Sequence, residues 1–221
     1  MKRRPSQELL DIDAGTDAEI SASIRDLQMF NERFGGVGAT QTLVRTALTE
    51  IPRRAVSLLE VASGSGYVPH AVRRKLEPEI DLNVTLLDRS RRHLNGFGRA
   101  VSADALHLPF AENSFDLVSC NLFVHHLDAA EVQAFAREAL RVCRTAFLIN
   151  DLIRNPLHLA IAYAGRPIYR SRITRNDAPA SVRQAYTPAE LTGLVKHSGA
   201  ARISLSRHYL FRMGIIAWKT A

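Results

Sequence analysis

One stretch constrains the fold more than any other: Leu58-Leu59-Glu60-Val61-Ala62-Ser63-Gly64-Ser65-Gly66-Tyr67. A hydrophobic strand runs into an acid, then a turn of small residues, then an amphipathic segment. Gly64 and Gly66 have no Cβ, so the turn can take positive φ and leave room for a ligand group. Val68 to Leu76 is predicted to open a helix, and a helix N-terminus carries partial positive charge. In this way a chain brings its backbone close to a nucleotide-like ligand. Many α/β folds share the device, so its weight depends on the strands that come after it in the chain.

After Gly66 comes a predicted helix, then Val84-Thr85-Leu86-Leu87-Asp88, a second buried strand ending in an acid. In a doubly wound sheet an acid about 20 residues after the glycine turn accepts hydrogen bonds from ribose hydroxyls. A third acid, Asp104, closes Ala100-Val101-Ser102-Ala103-Asp104, and Phe115 to Asn121 reads as a fourth strand. Glu60, Asp88 and Asp104 at successive strand ends are a far more specific signal than a glycine pair.

This order resembles the class I S-adenosylmethionine-dependent methyltransferases, in particular the type 11, small-molecule branch that includes ubiquinone and menaquinone biosynthesis enzymes. The pieces that carry it are LLEVASGSG, VTLLDRS, SADALHLPFAENSFDLVSCNLFVHHL and EVQAFAREALRVCR, over roughly residues 55–150. The resemblance implies a three-layer α/β sandwich. Its Rossmann-like sheet would have seven mostly parallel strands, with an antiparallel C-terminal hairpin and an N-terminal helical cap. It implies S-adenosylmethionine as cofactor. Glu60 and the turn Ala62, Ser63, Gly64 and Gly66 would serve its methionine part, Asp88 with Arg89 the ribose, and Asp104 with Ala105 the adenine amino group. Asn121 and Leu122 would lie where the crevice opens. One departure stands out: the family usually has Gly at the position of Ala62 and often Cys at that of Ser63. Alanine is small enough to be tolerated there, at some cost in cofactor affinity.

The chain divides into a predicted helical cap, residues 1–52, and a cofactor-binding domain, residues 53–221, with a substrate-side insertion at about 151–186. Residues 1–16 are polar and are expected to fray. Ile20, Ile24, Leu27 and Phe30 have helical spacing, stopped by Gly35-Gly36, and a second helix carries Leu43, Val44, Ala47, Leu48 and Ile51. Asp128 with Glu131 forms a capping box for a helix reaching Arg144. Ala146 to Ile149 reads as the fifth strand. Residues 151–186 read as a long connection containing one helix, Pro156 to Ile168. Thr187-Pro188-Ala189-Glu190 is a strong helix start. Strands at about 201–209 and 211–219 follow.

The net charge is +7 with 25 arginines against four lysines, a balance compatible with an anionic acceptor, a carrier protein, a membrane surface or nucleic acid. No run of ~20 apolar residues offers a membrane span, although peripheral contact is compatible with the charge. Met1-Lys2-Arg3-Arg4 is followed by Pro5-Ser6-Gln7-Glu8 rather than an apolar stretch, unlike a secretory signal. Cys120 and Cys143 have no metal-ligand spacing and read as buried thiols of a reducing cytoplasm. No metal is expected.

His125 and His126, after the fourth strand, are candidate general bases, His126 the better placed, because imidazole titrates near neutrality. Asn150 and Asp151 end the fifth strand at the edge where ligands bind and are candidate acceptor contacts. Arg172 and Arg175, in an arginine-rich run from Arg166 to Arg183, are candidates to hold a carboxylate or phosphate. The expected activity is methyl transfer to oxygen or carbon of a small aromatic or lipid-like metabolite. A nicotinamide-dependent oxidoreductase is the alternative, but Pro69 and His70 stand where a third turn glycine would be. An RNA methyltransferase is a further alternative; Asn121-Leu122-Phe123-Val124 lacks the NPPY-type tetrapeptide of nucleobase amine methylation, and no nucleic-acid partner is expected. A non-catalytic, cofactor-binding subunit also fits the motifs.

Overall fold

The computed structural model describes residues 1–92, 94 and 98–220. Its centre is a seven-stranded sheet in the order β3-β2-β1-β4-β5-β7-β6. The strands are β1 (Ala55–Val61), β2 (Asp81–Asp88), β3 (Arg99–Ser102), β4 (Phe115–Asn121), β5 (Cys143–Leu152), β6 (Arg202–His208) and β7 (Arg212–Trp218). β1 runs parallel to both β2 and β4, and β4 parallel to β5. Only β7, set between β5 and β6, runs antiparallel to its neighbours. The strand order reverses between β1 and β4, and in open α/β sheets ligands bind beyond the carboxyl ends at such a point.

Helices α2 (Gly36–Leu48) and α3 (Tyr67–Leu76) cover one face, and α4 (Ala129–Val142) and α7 (Pro188–Lys196) the other. Consecutive side chains of a strand point to opposite faces, so Leu58 packs with Val44, Val72 and Leu86, while Leu59 packs with Val118, Phe135 and Phe147. Every residue of β7 is buried, as a strand covered on both faces requires. The capping boxes Asp128/Glu131 and Thr187/Glu190 start α4 and α7 as the sequence indicates, and Thr16/Glu19 starts α1 (Asp17–Arg33) in the same way.

Two regions depart from expectation. Residues 1–16 are tied down along their length and do not fray. The Arg3 guanidinium donates to the carbonyls of Gln184, His125 and Leu127 and lies 4.1 Å over the Tyr186 ring. The amides of Leu9 and Leu10 donate to Asp177 at 2.9 and 3.0 Å, and Glu8 is buried. The segment crosses the carboxyl edge of the sheet as a strap. The connection after β5 is also more ordered than its sequence indicates. It holds α5 (Pro156–Ala164), a short 3-10 turn (Arg166–Ile168) and a further helix, α6 (Arg172–Gln184). Among the described residues no helix is long and apolar enough to cross a membrane.

Candidate active site

A cavity of about 390 Å³ opens over the carboxyl ends of β1 and β4. The glycine turn and Asp88 form one side. The strap, α1, α5, α6 and the histidines after β4 form the other.

On the first side, β1 delivers Glu60 and then turns sharply. Gly64 and Gly66 take φ of 52° and 69°, and a Cβ on Gly64 would meet nothing within 4 Å, so its backbone faces open space. Ala62 also has positive φ, 53°, as does Leu122 at the end of β4. For residues with a Cβ this region costs about 1–2 kcal/mol, and both strained residues line the cavity. The family's usual glycine at the position of Ala62 would carry no such cost. Asp88 braces the turn: its carboxylate accepts from the Gly64 amide at 2.8 Å and the Ser90 amide at 2.9 Å. A carboxylate offers about four lone-pair sites, the chemistry that ribose hydroxyls require of a partner. Ser63 also lines the cavity, with its buried hydroxyl lacking a partner among the described residues.

Glu60 is buried and accepts from the Ser119 hydroxyl and, at 2.7 Å, from the Asn121 amide. Burial pushes its carboxyl up to about 7, against the pull of those two bonds. Asn121 in turn accepts from Asn150 Nδ2 at 2.9 Å and lies 2.5 Å from the Thr40 hydroxyl. Asn150 is thus part of the polar relay behind the wall and does not line the cavity. Asp104 is exposed, accepts from the Leu106 amide at 2.9 Å and lies outside the lining, as do exposed Arg89 and buried Ala105.

On the second side, β4 ends in a 3-10 turn carrying His125 and His126. Both line the cavity. His125 is buried, with Nδ1 at 2.7 Å from Asp151 and Nε2 at 3.6 Å from Glu8. Burial alone would lower its pKa, but the Asp151 and Glu8 carboxylates lift it to about 10. His126 is one-fifth exposed, its Nδ1 2.8 Å from Asp11. Asp151 does not reach the cavity; it stands behind His125 and orients it. Arg172 is exposed and bonds Glu19 and the Ala14 carbonyl, and Arg175 is exposed on α6; neither lines the cavity.

Several lining residues carry no sequence signal. Glu8 comes from the strap, and Asp177 from the polar inner face of α6. Arg212, the first residue of β7, is buried with Nη2 bonded to Asn31, Nε to the Phe34 carbonyl, and Nη1 without a partner among the described residues. Among the described residues it is the only arginine or lysine in the lining. Its position after a hairpin turn gives no indication that it reaches the cavity. Phe30, Phe34, Tyr67 and Tyr169 stand among aliphatic residues such as Ile24, Leu27 and Ile161 in the remaining, mainly apolar wall.

Strand order, glycine turn and acid at the end of β2 define a Rossmann-like, mostly parallel α/β sheet with an antiparallel C-terminal strand. The family model described as "Methyltransferase domain" matches residues 59–146. No curated protein sequence matches the chain. Among solved structures, the plantazolicin methyltransferase BpumL, in complex with a triazolic desmethylPZN analog and SAH, is 13% identical over 93% of this chain and 92% of its own, with a TM-score of 0.69. A SAM-dependent methyltransferase from Aquifex aeolicus is 16% identical over 80% of this chain and 89% of its own, at 0.57. One from Methanosarcina mazei is 18% identical over 78% and 96%, at 0.55. At these identities the likeness establishes the shared fold.

Proposed function

We propose that this chain is an S-adenosylmethionine-dependent methyltransferase acting on oxygen or carbon of a small, aromatic or lipid-like acceptor. The observation that carries the reading is the single cavity in which the glycine turn and Asp88 face the two histidines. The open backbone at Gly64, the partnerless Ser63 hydroxyl and the Asp88 carboxylate fit a nucleoside with a charged amino-acid tail. When bound, S-adenosylmethionine supplies an electrophilic methyl group on a sulfonium. Asp88, with Arg89 beside it, serves the ribose hydroxyls, and Asp104 and Ala105 the adenine end. Glu60, Ala62, Ser63, Gly64 and Gly66 serve the methionine end, and Asn121 and Leu122 the floor between cofactor and acceptor.

The mainly apolar wall, with Phe30, Phe34, Tyr67 and Tyr169 in it, holds the acceptor in one orientation and excludes water, which lowers the entropic part of the barrier. Activation of a hydroxyl acceptor falls to His126, with His125 and its partner Asp151 behind it. Asn150 acts as a positioning residue through Asn121. Arg212 suits an acceptor bearing an anionic group. Arg172 and Arg175 contribute at most as long-range charge.

Parallel calorimetric titration with S-adenosylmethionine, S-adenosylhomocysteine and NADH tests this. Binding of both sulfur nucleotides without NADH is expected. NADH binding alone would overturn the reading in favour of an oxidoreductase.

A further inference from the structure

The buried cluster at the strap end of the cavity has a composition that proton transfer does not require. One ligand atom from each of Glu8, His125 and His126 lies within 4.8 Å of the other two, and all three residues line the cavity. We propose that these three side chains bind a divalent transition-metal ion whose remaining positions face the acceptor. The proposal rests on the methyltransferase reading for its role, but not for its test.

Four observations carry it. The donor set, two imidazoles and one carboxylate, is the facial-triad set of mononuclear iron sites and also suits zinc and cobalt. Both imidazoles are engaged at Nδ1 by a carboxylate, His125 by Asp151 at 2.7 Å and His126 by Asp11 at 2.8 Å. Metal-binding histidines almost always have such a partner, which fixes the tautomer and leaves Nε2 to the ion. The carboxylate ligand is itself held, since Glu8 Oε1 accepts from the Ser181 hydroxyl at 2.6 Å and from Gln184 at 2.7 Å. Carboxylates also gather here, with Arg212 acting on Asp151. Glu8, Asp151 and Asp177 are all buried around the histidines, and Asp11 is half-exposed beside them. A divalent ion on two neutral imidazoles supplies the same two positive charges as two imidazolium rings, so it can take the place of their protons.

Distances are within reach of coordination. Bonds of about 2.0–2.2 Å place adjacent ligand atoms about 3–3.4 Å apart. His125 Nε2 and Glu8 Oε1 are already 3.6 Å apart. His126 is one-fifth exposed beside the open cavity, and the three ligand atoms lie within 4.8 Å of one another. The two rings lie with centroids 4.2 Å apart.

The function follows from Lewis acidity. A metal ion can lower the pKa of bound water from 15.7 to about 7. An acceptor hydroxyl on the ion would lose its proton to solvent at the cavity mouth, with the O–H electron pair left on oxygen. The oxidation state of the metal does not change. The histidines then act through the ion instead of taking the proton themselves.

The test uses the full chain, stripped with a chelator and titrated with cobalt(II) alone, followed by visible absorption, and with zinc(II) by calorimetry. One equivalent per chain is expected, with intense cobalt bands from a nitrogen–oxygen ligand field of low coordination. His126→Ala and Glu8→Gln should each weaken binding at least 100-fold, and Asp151→Asn by about 10–100-fold. Glu8→Gln retains the shape of the side chain, so it remains informative if His126→Ala fails to fold. Absence of a cobalt or zinc site in the parent protein, or a site that both ligand substitutions leave intact, would overturn the proposal. The same metal-free sample is titrated with S-adenosylhomocysteine. Binding of that nucleotide without binding of metal sinks the metal site alone; binding of metal without the nucleotide sinks the methyltransferase reading alone.

Discussion

The two sides of the cavity are built on different principles. The cofactor side comes from short, contiguous segments at the ends of β1, β2 and β4, and its key bonds join neighbouring turns, such as Gly64 to Asp88. The acceptor side is assembled from the strap, α1, α6, the histidine turn and the start of β7, which are remote in sequence. The first is a local motif that a parallel sheet positions wherever it occurs. The second exists only when distant parts of this chain meet, so on the proposed reading specificity for the acceptor belongs to the particular chain and not to the fold.

Substitutions that break one side and spare the other sharpen this contrast. The largest effect is expected from His126→Ala. Turnover should fall about 10²–10⁴-fold, the usual contribution of a positioned acid or base, while the dissociation constant of S-adenosylhomocysteine stays within about twofold. Steady-state rates beside calorimetry check it, and a parallel loss of nucleotide binding would show that the two sides are not separable. Asp88→Ala should act in the opposite sense. Loss of hydrogen bonds to a charged acceptor costs about 1–3 kcal/mol, read as a cofactor Kd about 5–150-fold weaker. Unchanged affinity would remove Asp88 from the cofactor side.

Glu60 lies beneath both sides and gives a stability signature. Its carboxyl has an ordinary value of 4.5 and is pushed up to about 7 in the fold by burial. The folded state therefore binds more protons than the unfolded chain between those values, and the stability held at low pH is lost as pH rises through that window. The loss is on the order of 1–3 kcal/mol. Urea denaturation of the cofactor-free protein at pH 5 and pH 8 should show it, and Glu60→Gln should remove that component of the difference. A parent protein whose Glu60-dependent stability rose with pH would contradict this. The smallest effect is reserved for Arg172→Gln combined with Arg175→Gln, which lie on the exposed face of α6. The acceptor KM should move less than about twofold. A larger rise would bring these arginines back to the acceptor side as an electrostatic guide.

Legibility in the sequence divides along the same line. Buried parallel strands read as apolar runs, and a strand-end acid before a glycine turn is visible in one short window, so Phe115–Asn121 and the order of Glu60 and Asp88 are plain. Helix α6 is not. Its inner face buries Thr174, Asp177 and Gln184 beside Ile173, Ala180 and Val182, and it contains Pro179. An apolar stripe at helical spacing is therefore missing, and the arginines on its outer face give the segment the pattern of a charged loop. The strap is hidden for a related reason. Its polar composition signals fraying unless its partners are known, and these are carbonyls and carboxylates more than a hundred positions away, such as the His125 carbonyl for Arg3. Asn150 and Asp151 end a strand, which points to the acceptor. In the fold they instead brace Asn121 and His125 from behind.

The strap also sets an order of events during synthesis. Arg3 lies 122 positions before the His125 carbonyl it binds, and Glu8 lies 176 before Gln184. These residues leave the ribosome early but find no partners until the sheet has passed β4 and α6 has emerged. The glycine turn, by contrast, meets Asp88 only 24 positions later. The nucleotide side can therefore take shape while the chain is still growing, and the side that chooses the acceptor closes only when a loop of well over a hundred residues has been drawn shut.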